Sequence, residues 1–299
     1  MKNKKITSEK KFEIVSTIVL TVLTLIALLP IALIVIASFT DEQALLTNGY
    51  SYLPKKLSLD AYYYMVQKGV MISRAYGISG IVTIGGTVLS VIITAMIAYP
   101  MSRKNFKYRN HLAFFVFFTM LFNGGIVSSY MLWSRFFHIK NTVWALMLPN
   151  YLVTAFNIFL VRNYYANSVP DSLIESAQID GARELTIFRK IMFPLAVPTV
   201  ATISLFTGLL YWNDWINGLY YITNPKMYGI QNLLIRIMDN IQFLKSGSAS
   251  NLLGTASVDL PGTAVRMAMA VIGILPIVII YPFVQKYFIK GVVVGAVKG

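Results

Sequence analysis

The sequence predicts an all-α membrane protein with six transmembrane helices, and its composition and the spacing of its charges carry this prediction. Hydrophobic residues make up 56% of the 299 positions and charged residues only 13%, well below the quarter typical of soluble domains. Six stretches without Asp, Glu, Lys or Arg reach the length of about 20 residues that a helix needs to cross roughly 30 Å of hydrocarbon. These stretches do not alternate as barrel strands do, and a helix pairs its own backbone groups in lipid.

The predicted domain organisation follows from those stretches. A transmembrane domain extends over 14–290, between an N-terminal tail at 1–13 and a C-terminal tail at 291–299. A polar loop at 163–194 separates spans four and five. The spans are predicted at about 14–38, 76–99, 111–132, 143–161, 195–222 and 267–287.

The distribution of basic residues predicts the orientation. An even number of spans places both termini on one side of the membrane, and the N-terminal tail, the loops 100–110 and 162–190 and the C-terminal segment from Lys286 hold 16 of the 26 Lys and Arg residues. Because basic loops stay in the cytoplasm, both termini are predicted to be cytoplasmic. The first span is predicted to be uncleaved, because its uncharged run is too long for the apolar region of a signal peptide. The net charge of +14 then indicates contact with anionic lipid rather than with nucleic acid.

Several kinds of chemistry are excluded by the residues that the chain lacks. Without cysteine there are no disulfides, thiolate metal sites or cysteine nucleophiles. His111 and His138 lie in different connections, so they do not form a multi-histidine metal site. No phosphate loop of the G-x-x-x-x-G-K-[ST] type occurs. We therefore expect no catalytic, cofactor or metal site, and no ATP hydrolysis by this chain itself.

The polar loop between spans four and five reads ESAQIDGARELTIFRKIMFPLAVP from residue 175 to 198. Ser168 as a cap, Pro170 at the first helical position and Asp171 in the first turn predict that a short helix begins just before this stretch. Gly181 permits a backbone turn that other residues resist, and a second amphipathic segment follows it. The loop is therefore predicted to form a helix, a bend and a helix.

Each helix of this loop has an apolar face. An amphipathic helix lying among lipid headgroups would account for such faces. The first helix, however, is poor in lysine and carries acids, which the negative inner leaflet repels, so a protein partner is the favoured interpretation. The predicted faces comprise Leu173, Ile174 and Ala177 in the first helix, and Leu185, Phe188 and Ile191 in the second.

One pattern in this loop resembles a known family. The pattern is Glu175-x-Ala177-x-x-Asp180-Gly181-Ala182, followed by Phe188, Ile191, Pro194 and Pro198. It is similar to the EAA loop of permease subunits in binding-protein-dependent ABC importers, specifically the shorter permease subunit of the maltose-type carbohydrate importers. The resemblance extends from the first span to the C-terminus through NTVWALMLPN at 141–150, WND at 212–214 and KGVVVGAVKG at 290–299, with Ser176 where the motif has alanine.

The resemblance implies the type I ABC importer permease fold, with a cytoplasmic coupling helix between spans four and five. It implies a permease subunit of the bacterial cell membrane that forms half of the translocation path for a carbohydrate, an oligosaccharide, by alternating access. The implied partners are a second homologous permease subunit, two ATPase subunits that bind ATP and Mg²⁺, and an extracytoplasmic solute-binding protein. The implied coupling residues, among which Glu175 would pair with an ATPase cation and Phe188 would anchor the bend, are Glu175, Ala177, Asp180, Gly181, Ala182, Phe188 and Pro194.

A second candidate site is the translocation path through spans four and five. Intramembrane polar groups tend to face a bundle interior or an aqueous path, and aromatic faces with amides suit sugar rings. An outer aromatic belt in which Asn213 and Asp214 cap helix ends is an alternative that stays open. The resemblance also implies that the longer permease subunit makes the sugar contacts. The predicted path residues are Asn150, Asn157, Trp212, Asn213, Asp214 and Trp215.

Two smaller features lie outside these sites. The outside segment 223–265 contains the weakly helical IQNLLIRIMDNIQFLKS, and the resemblance implies that this segment contacts the solute-binding protein. Glycines in spans two and three are predicted to permit close helix packing rather than to act as hinges. They are Gly80, Gly85, Gly86, Gly124 and Gly125.

Two alternative functions stay open. A self-contained secondary transporter usually carries ionisable groups near the midplane and two related halves, whereas the core of every predicted span here lacks Asp, Glu, Lys and Arg. An ABC permease for a non-sugar cargo would share the fold, and the GAVKG ending favours the sugar branch of the family.

Overall fold

The computed structural model describes residues 2–245 and 262–296, and it confirms the predicted all-α class. Among these residues the only strand-like pairing is an isolated bridge between Thr40 and Leu57. The helices are α1 Lys2–Ser38, α2 Glu42–Asn48, α3 Asp60–Gln67, α4 Gly69–Ser102, α5 Arg109–Leu121, α6 Gly125–Met131, α7 Trp144–Met147, α8 Ala155–Ser168, α9 Asp171–Ile179, α10 Glu184–Ile187, α11 Phe193–Leu195, α12 Val197–Trp212, α13 Ile216–Tyr221, α14 Ile230–Lys245 and α15 Thr263–Ala296. Short π-helical turns at Leu132–Phe136 and Phe188–Met192 continue α6 and α10, and a 3₁₀ turn occupies Pro225–Met227.

Several of these helices are long and apolar enough to cross a membrane. Within the described residues three do so unbroken, at Glu9–Ser38, Gly69–Ser102 and Thr263–Pro282, or up to five if each of two bent pairs is one span. The predicted fourth span, 143–161, is divided between α7 and α8 by an irregular stretch at 148–154. The count of six crossings therefore stays a prediction, although the membrane class of the fold is confirmed.

The two bends have local causes. The predicted third span is bent by 115° between α5 and α6, where Gly125 has a φ of 78° and its N–H donates to the side chain of Asn123 at 2.9 Å. The expectation that Gly125 serves packing is therefore wrong: it breaks the helix. A bend of 79° separates the second part of the polar loop, Glu184–Leu195, from α12, at the start of the predicted fifth span. Pro194 and Pro198 flank that bend, and neither offers an N–H to a helical hydrogen bond.

The chain divides into two compact units, the first formed by residues 1–69 and 237–275. In this unit Glu42 accepts hydrogen bonds from the backbone N–H groups of Thr263 at 2.7 Å and Ala264 at 2.8 Å, which satisfies orphan donors at the start of α15. A Cβ at Gly262 would collide with the Glu42 carboxylate. Lys56, 3.0 Å from Asp41, lowers the pKa of that carboxyl below its usual range. The first unit is thus held by contacts between segments far apart in the sequence.

The second unit comprises residues 70–236 and 276–299 and contains both candidate sites. Close approach of its helices depends on two of the predicted packing glycines. A Cβ at Gly86 would lie 2.6 Å from the ring of Tyr211, and one at Gly85 would lie 2.8 Å from Met147. Nothing lies within 4 Å of a Cβ built at Gly80. The packing prediction is therefore confirmed for Gly85 and Gly86 and wrong for Gly80.

Candidate functional site

The polar loop folds as a helix, a bend and a helix, as predicted, with a correction at its start. Helix α8 continues to Ser168, so this residue ends one helix instead of capping the next. Helix α9 begins at Asp171, and Pro170 occupies the capping position with an extended ψ of 133°. Because Asp171 lies in the first turn, its charge interacts favourably with the helix dipole.

The bend after α9 is a Schellman turn centred on Gly181. The N–H of Ala182 donates to the carbonyl of Ala177 at 2.9 Å, and the N–H of Gly181 donates to the carbonyl of Gln178 at 3.0 Å. Gly181 has a φ of 75°, which a residue with a Cβ adopts at a cost. No atom lies within 4 Å of a Cβ built there, so the bend presents an open surface.

One face of this loop is buried. Ile174 is 1% exposed and Ile187 0% exposed, and both pack in a core cluster with residues of α4 and α8. Phe188 is buried in the same cluster, with its ring centroid 5.7 Å from that of Tyr99. The side chain of Phe188 therefore packs where a bend anchor is expected, and Ala177 and Ala182 pack at the edge of the cluster.

The opposite face of the loop exposes apolar side chains. Ile179 is 86% exposed and Leu185 is 61% exposed, on either side of the Gly181 turn. Leu173 is also exposed, so the predicted apolar faces are divided: Ile174 and Ala177 pack on the bundle, whereas Leu173 and Leu185 do not. Sequence reasoning missed this surface because Ile179 is five residues beyond Ile174, which places it on a different side of the helix. Glu175, Asp180 and Gly181 are exposed together with it.

Hydrogen bonds and ion pairs fasten the loop to the C-terminal end of α4 and the connection after it. The Glu184 carboxylate accepts a hydrogen bond from the Tyr99 hydroxyl and another from Gln178 Nε2 at 3.1 Å. Asp171 is 2.9 Å from Lys104 Nζ and 3.8 Å from an Arg103 nitrogen. The hydrogen bond and charge of Lys104 lower the pKa of the Asp171 carboxyl. None of these pairs belongs to the predicted site.

The predicted path residues fall into two groups. Asn150 and Asp214 meet through Asn217, which is 0% exposed and which the sequence analysis did not single out. Asn150 Nδ2 donates to Asn217 Oδ1 at 2.7 Å, and the backbone N–H of Asn217 donates to Asp214 Oδ1 at 3.1 Å. The Tyr151 hydroxyl also donates to Asp214, at 3.3 Å. An asparagine in the apolar stretch WINGLYY was the available signal, because buried amides need partners.

Three of the other four path residues line two cavities in the second unit. Asn157 and Asn213 line one of about 510 Å³, together with Tyr151, Thr154, Phe156, Phe206, Leu209 and Leu210. Trp212 lines a separate cavity of about 480 Å³ formed by residues of α4, α12 and α15. Trp215 is 41% exposed. The six residues therefore do not form one cluster.

Some contacts of these residues also fit the helix-capping alternative. Asp214 accepts from the N–H of Asn217 near the start of α13, and Asn213 Nδ2 donates to the carbonyl of Leu209 at 2.9 Å near the end of α12. Such contacts satisfy orphan backbone groups where helices end. A capping residue can still face a cavity, as Asn213 does.

The remaining predictions concern metals and the outside segment. In the part of the chain that is described, no group of three or more His, Asp or Glu side chains is placed to hold a metal ion. Helix α14 confirms the predicted helix of the outside segment, and Arg236 stacks over the Tyr228 ring at 4.4 Å beside it. Residues 246–261 of that segment lie outside the described residues.

Comparison with known proteins places this architecture in a family. The chain matches the binding-protein-dependent transport system inner membrane component family over residues 90–294. It is 36% identical over 282 residues, 94% of this chain and 96% of the relative, to the polygalacturonan/rhamnogalacturonan transport system permease protein YtcP of Bacillus subtilis (strain 168). It is 30% identical over 291 residues, 95% of each chain, to the arabinooligosaccharides transport system permease protein AraQ of Halalkalibacterium halodurans.

A solved structure gives the same result. A chain in the crystal structure of a bacterial ABC transporter involved in the import of the acidic polysaccharide alginate is 30% identical, with a TM-score of 0.75, and the match covers 94% of this chain and 98% of that one. A self-contained secondary transporter is therefore the wrong alternative, and ATP hydrolysis belongs to separate subunits in such importers. The chain belongs to the family of binding-protein-dependent transport system inner membrane components, as a membrane-spanning permease subunit of an ABC importer.

Proposed function

We propose that this permease carries a carbohydrate, an oligosaccharide, and that its loop at 163–194 couples the closure of two ATPase subunits to alternating access. Its further partners are a second homologous permease subunit and an extracytoplasmic solute-binding protein. Both termini lie in the cytoplasm of a bacterial cell. ATP binding closes the ATPase pair, the loop follows, and the path opens outward to receive sugar; hydrolysis restores the inward-facing state.

The observation that carries the coupling role is the two-sided character of the loop. Its buried side, with Ile174, Ile187 and Phe188, is packed into the bundle, so a displacement of the loop must displace the helices around it. Its other side exposes Ile179 and Leu185 next to the open turn at Gly181. Exposed apolar residues beside charged ones are typical of a protein docking surface.

The proposed docking residues have distinct roles on that surface. Glu175 and Asp180 are exposed carboxylates available to cations of the ATPase. Ala177, Gly181 and Ala182 keep the turn small enough for close approach, while Phe188 and the bend after Pro194 hold it against the bundle. Loss of a carboxylate or its cation from such an interface typically costs about 2–5 kcal/mol when the pair is buried by docking.

The proposed carbohydrate path uses the cavity of about 510 Å³ that Asn157 and Asn213 line. Rings of Tyr151, Phe156 and Phe206 supply apolar faces there, and the two amides supply hydrogen-bonding groups. This combination suits sugar rings, which present C–H faces and hydroxyl edges. The names of the relatives support an oligosaccharide: polygalacturonan/rhamnogalacturonan and arabinooligosaccharides.

Cross-linking tests the coupling role. The chain contains no cysteine, so a single Ile179→Cys substitution gives a unique reactive site. We expect this site to form a disulfide with a cysteine in the cleft of the ATPase subunit in the assembled complex, while Phe12→Cys, an exposed control in α1, does not. An Ile179→Cys site that reacts freely with water-soluble maleimide in the complete complex would contradict docking.

A transport assay tests the cargo. The complex reconstituted with its binding protein is given labelled oligogalacturonides, arabinooligosaccharides and, as non-sugar controls, a tripeptide and phosphate. We expect ATP-dependent uptake of one sugar class, and its reduction by Asn157→Ala. Uptake of a control in place of both sugars would overturn the carbohydrate assignment and leave the coupling role standing.

A further inference from the structure

Tyr99, Glu184 and Gln178 form a polar contact that joins three helices at the cytoplasmic side. We infer that this set, called here the latch, positions the coupling loop on α4, so that the loop and α4 move as one body when the ATPases close. The inference deepens the proposed function and depends on it, because the latch matters for transport only if the loop receives the motion.

The latch uses both oxygens of one carboxylate. Glu184 is the first residue of α10, Gln178 lies in the last turn of α9, and Tyr99 lies in the last turn of α4. One Glu184 oxygen accepts from Gln178 Nε2 at 3.1 Å, and the other accepts from the Tyr99 hydroxyl. Hydrogen bonds to an ionised acceptor are about twice as strong as neutral ones. The two helices of the loop are thus bound to α4 through one side chain.

The chain itself does not connect the loop to α4. The loop continues directly into α8 on one side and α11 and α12 on the other, so only contacts through space can move α4 with it. The ion pair of Asp171 with Lys104 reaches the connection after α4 and not α4 itself. Apolar packing is present but non-directional. The latch adds to this packing a directional link from both helices of the loop to α4, as the bond from Arg162 Nε to the Met101 carbonyl at 3.1 Å does from α8.

Motion of α4 reaches the membrane interior. Thr83, Ile84, Thr87 and Val88 of α4 line the cavity of about 480 Å³. Gly85 and Gly86 pack α4 tightly against Met147 and Tyr211, so α4 cannot shift at its cytoplasmic end without stress along these contacts. Closely packed interfaces respond to small displacements by moving as units.

Tyr99→Phe separates the hydrogen bond from the packing. The ring of Tyr99 contacts Phe188 at 5.7 Å and Tyr165 at 6.5 Å, and phenylalanine retains both contacts. Glu184→Gln is a second variant, because it removes the charge that strengthens both hydrogen bonds and leaves one acceptor oxygen in place of two. Tyr108→Phe is the matched control: it removes an exposed tyrosine hydroxyl at the same end of the bundle.

Distance measurements between spin labels test the latch in the full complex. Labels are placed at Ile179→Cys on α9 and Ile81→Cys on α4, which are both exposed and, in a cysteine-free chain, unique. The probe is ATP with vanadate, compared with the nucleotide-free complex. We expect the distance to be the same in both states for the native chain and for Tyr108→Phe. For Tyr99→Phe and Glu184→Gln we expect it to shift and broaden on trapping, with no further shift in the double variant.

Each outcome either supports or overturns the latch. A distance that stays fixed in Tyr99→Phe and Glu184→Gln overturns the latch, and so does a distance that already shifts in the native chain. Failure of the proposed function is seen separately, because the Ile179 label in the native complex would then remain as mobile as in the permease without its ATPase subunits. Loss of the ATPase subunits from both latch variants, with Tyr108→Phe intact, would make the latch a determinant of docking and overturn its transmitting role.

Discussion

Gly181 and Asn150 both have left-handed backbone and interrupt helices in this permease, but they do so in opposite ways. Gly181, with a φ of 75°, closes its turn by backbone hydrogen bonds and leaves an open surface. Asn150, with a φ of 68°, lies in the break between α7 and α8 and bonds through its side chain to buried Asn217. One bend leaves its surface open, as the proposed docking requires, whereas the other is completed within the chain.

The two bends contribute differently to docking and to stability. The residues of a turn with an open surface can be substituted without unfolding the protein. We therefore expect substitutions at Gly181 to affect mainly the proposed docking. A turn whose side chain satisfies a buried amide cannot change without leaving polar groups unpaired, so substitutions around Asn150 act mainly on stability. Substitutions in the two bends and in the contacts around them test this division.

The largest effect is expected at the open turn. Gly181→Asp or Glu175→Lys should abolish ATP-driven transport while membrane insertion stays normal, because each changes the charge of an exposed docking surface. Transport in proteoliposomes and the amount of membrane-inserted protein are measured together. Ser176→Ala is the control, since its hydroxyl only donates to the carbonyl of Ser172 in its own helix. Normal transport by Gly181→Asp would remove the coupling assignment.

The second largest effect is expected at Asn217, which joins Asn150 to Asp214. Asn217→Ala should lower the free energy of unfolding by about 2–3 kcal/mol, because it leaves the Asn150 amide and the Pro149 carbonyl without their partner. Thermal unfolding of the purified complex measures the loss. Transport per folded molecule should stay nearly normal, in contrast to Gly181→Asp. Asn213→Ala, which loses one exposed bond to Leu209, should change stability by less than about 0.5 kcal/mol.

A pair of variants at Asn150 divides backbone from side chain. Asn150→Gly keeps the left-handed conformation and loses only the bond to Asn217, which is worth about 0.6–1.7 kcal/mol in a membrane protein. Asn150→Ala also forces a Cβ into left-handed backbone and should cost about 1 kcal/mol more. Equal unfolding free energies for the two variants would show that the conformation at residue 150 is unimportant.

The smallest effect is expected at the exposed ion pair of the loop. Lys104 lowers the pKa of Asp171, so the pair stabilises the fold above the ordinary carboxyl pKa, and this contribution is lost as the pH falls through the lowered value. Because Asp171 is about half exposed, Lys104→Gln should cost only about 0.2–0.5 kcal/mol at pH 7, and this cost should shrink as the pH falls through the lowered pKa. Unfolding in a pH series, repeated in high salt, measures this difference. A cost that grows as the pH falls would contradict the assigned sign.

Much of the fold follows from local sequence, and so does part of the site. Runs of uncharged residues predict the apolar helices, and the Gly181 turn follows from glycine after a helical pattern. The break at Gly125 and the division of the predicted fourth span were missed, because hydrophobicity reports where a segment lies and not whether its helix is continuous. The exposed Ile179 was missed because it lies five residues beyond Ile174, outside the predicted apolar face of its helix.

By itself, the sequence determined the membrane class, the position of the polar loop and the residues at its turn, because desolvation and backbone preference act on neighbouring residues. Only the tertiary structure decided that Asn217 unites Asn150 with Asp214, and that Glu184 binds Tyr99 from 85 positions away. Polar groups in a bundle choose partners by distance and direction. Those are properties of helices packed together, which no single helix carries in its own residues.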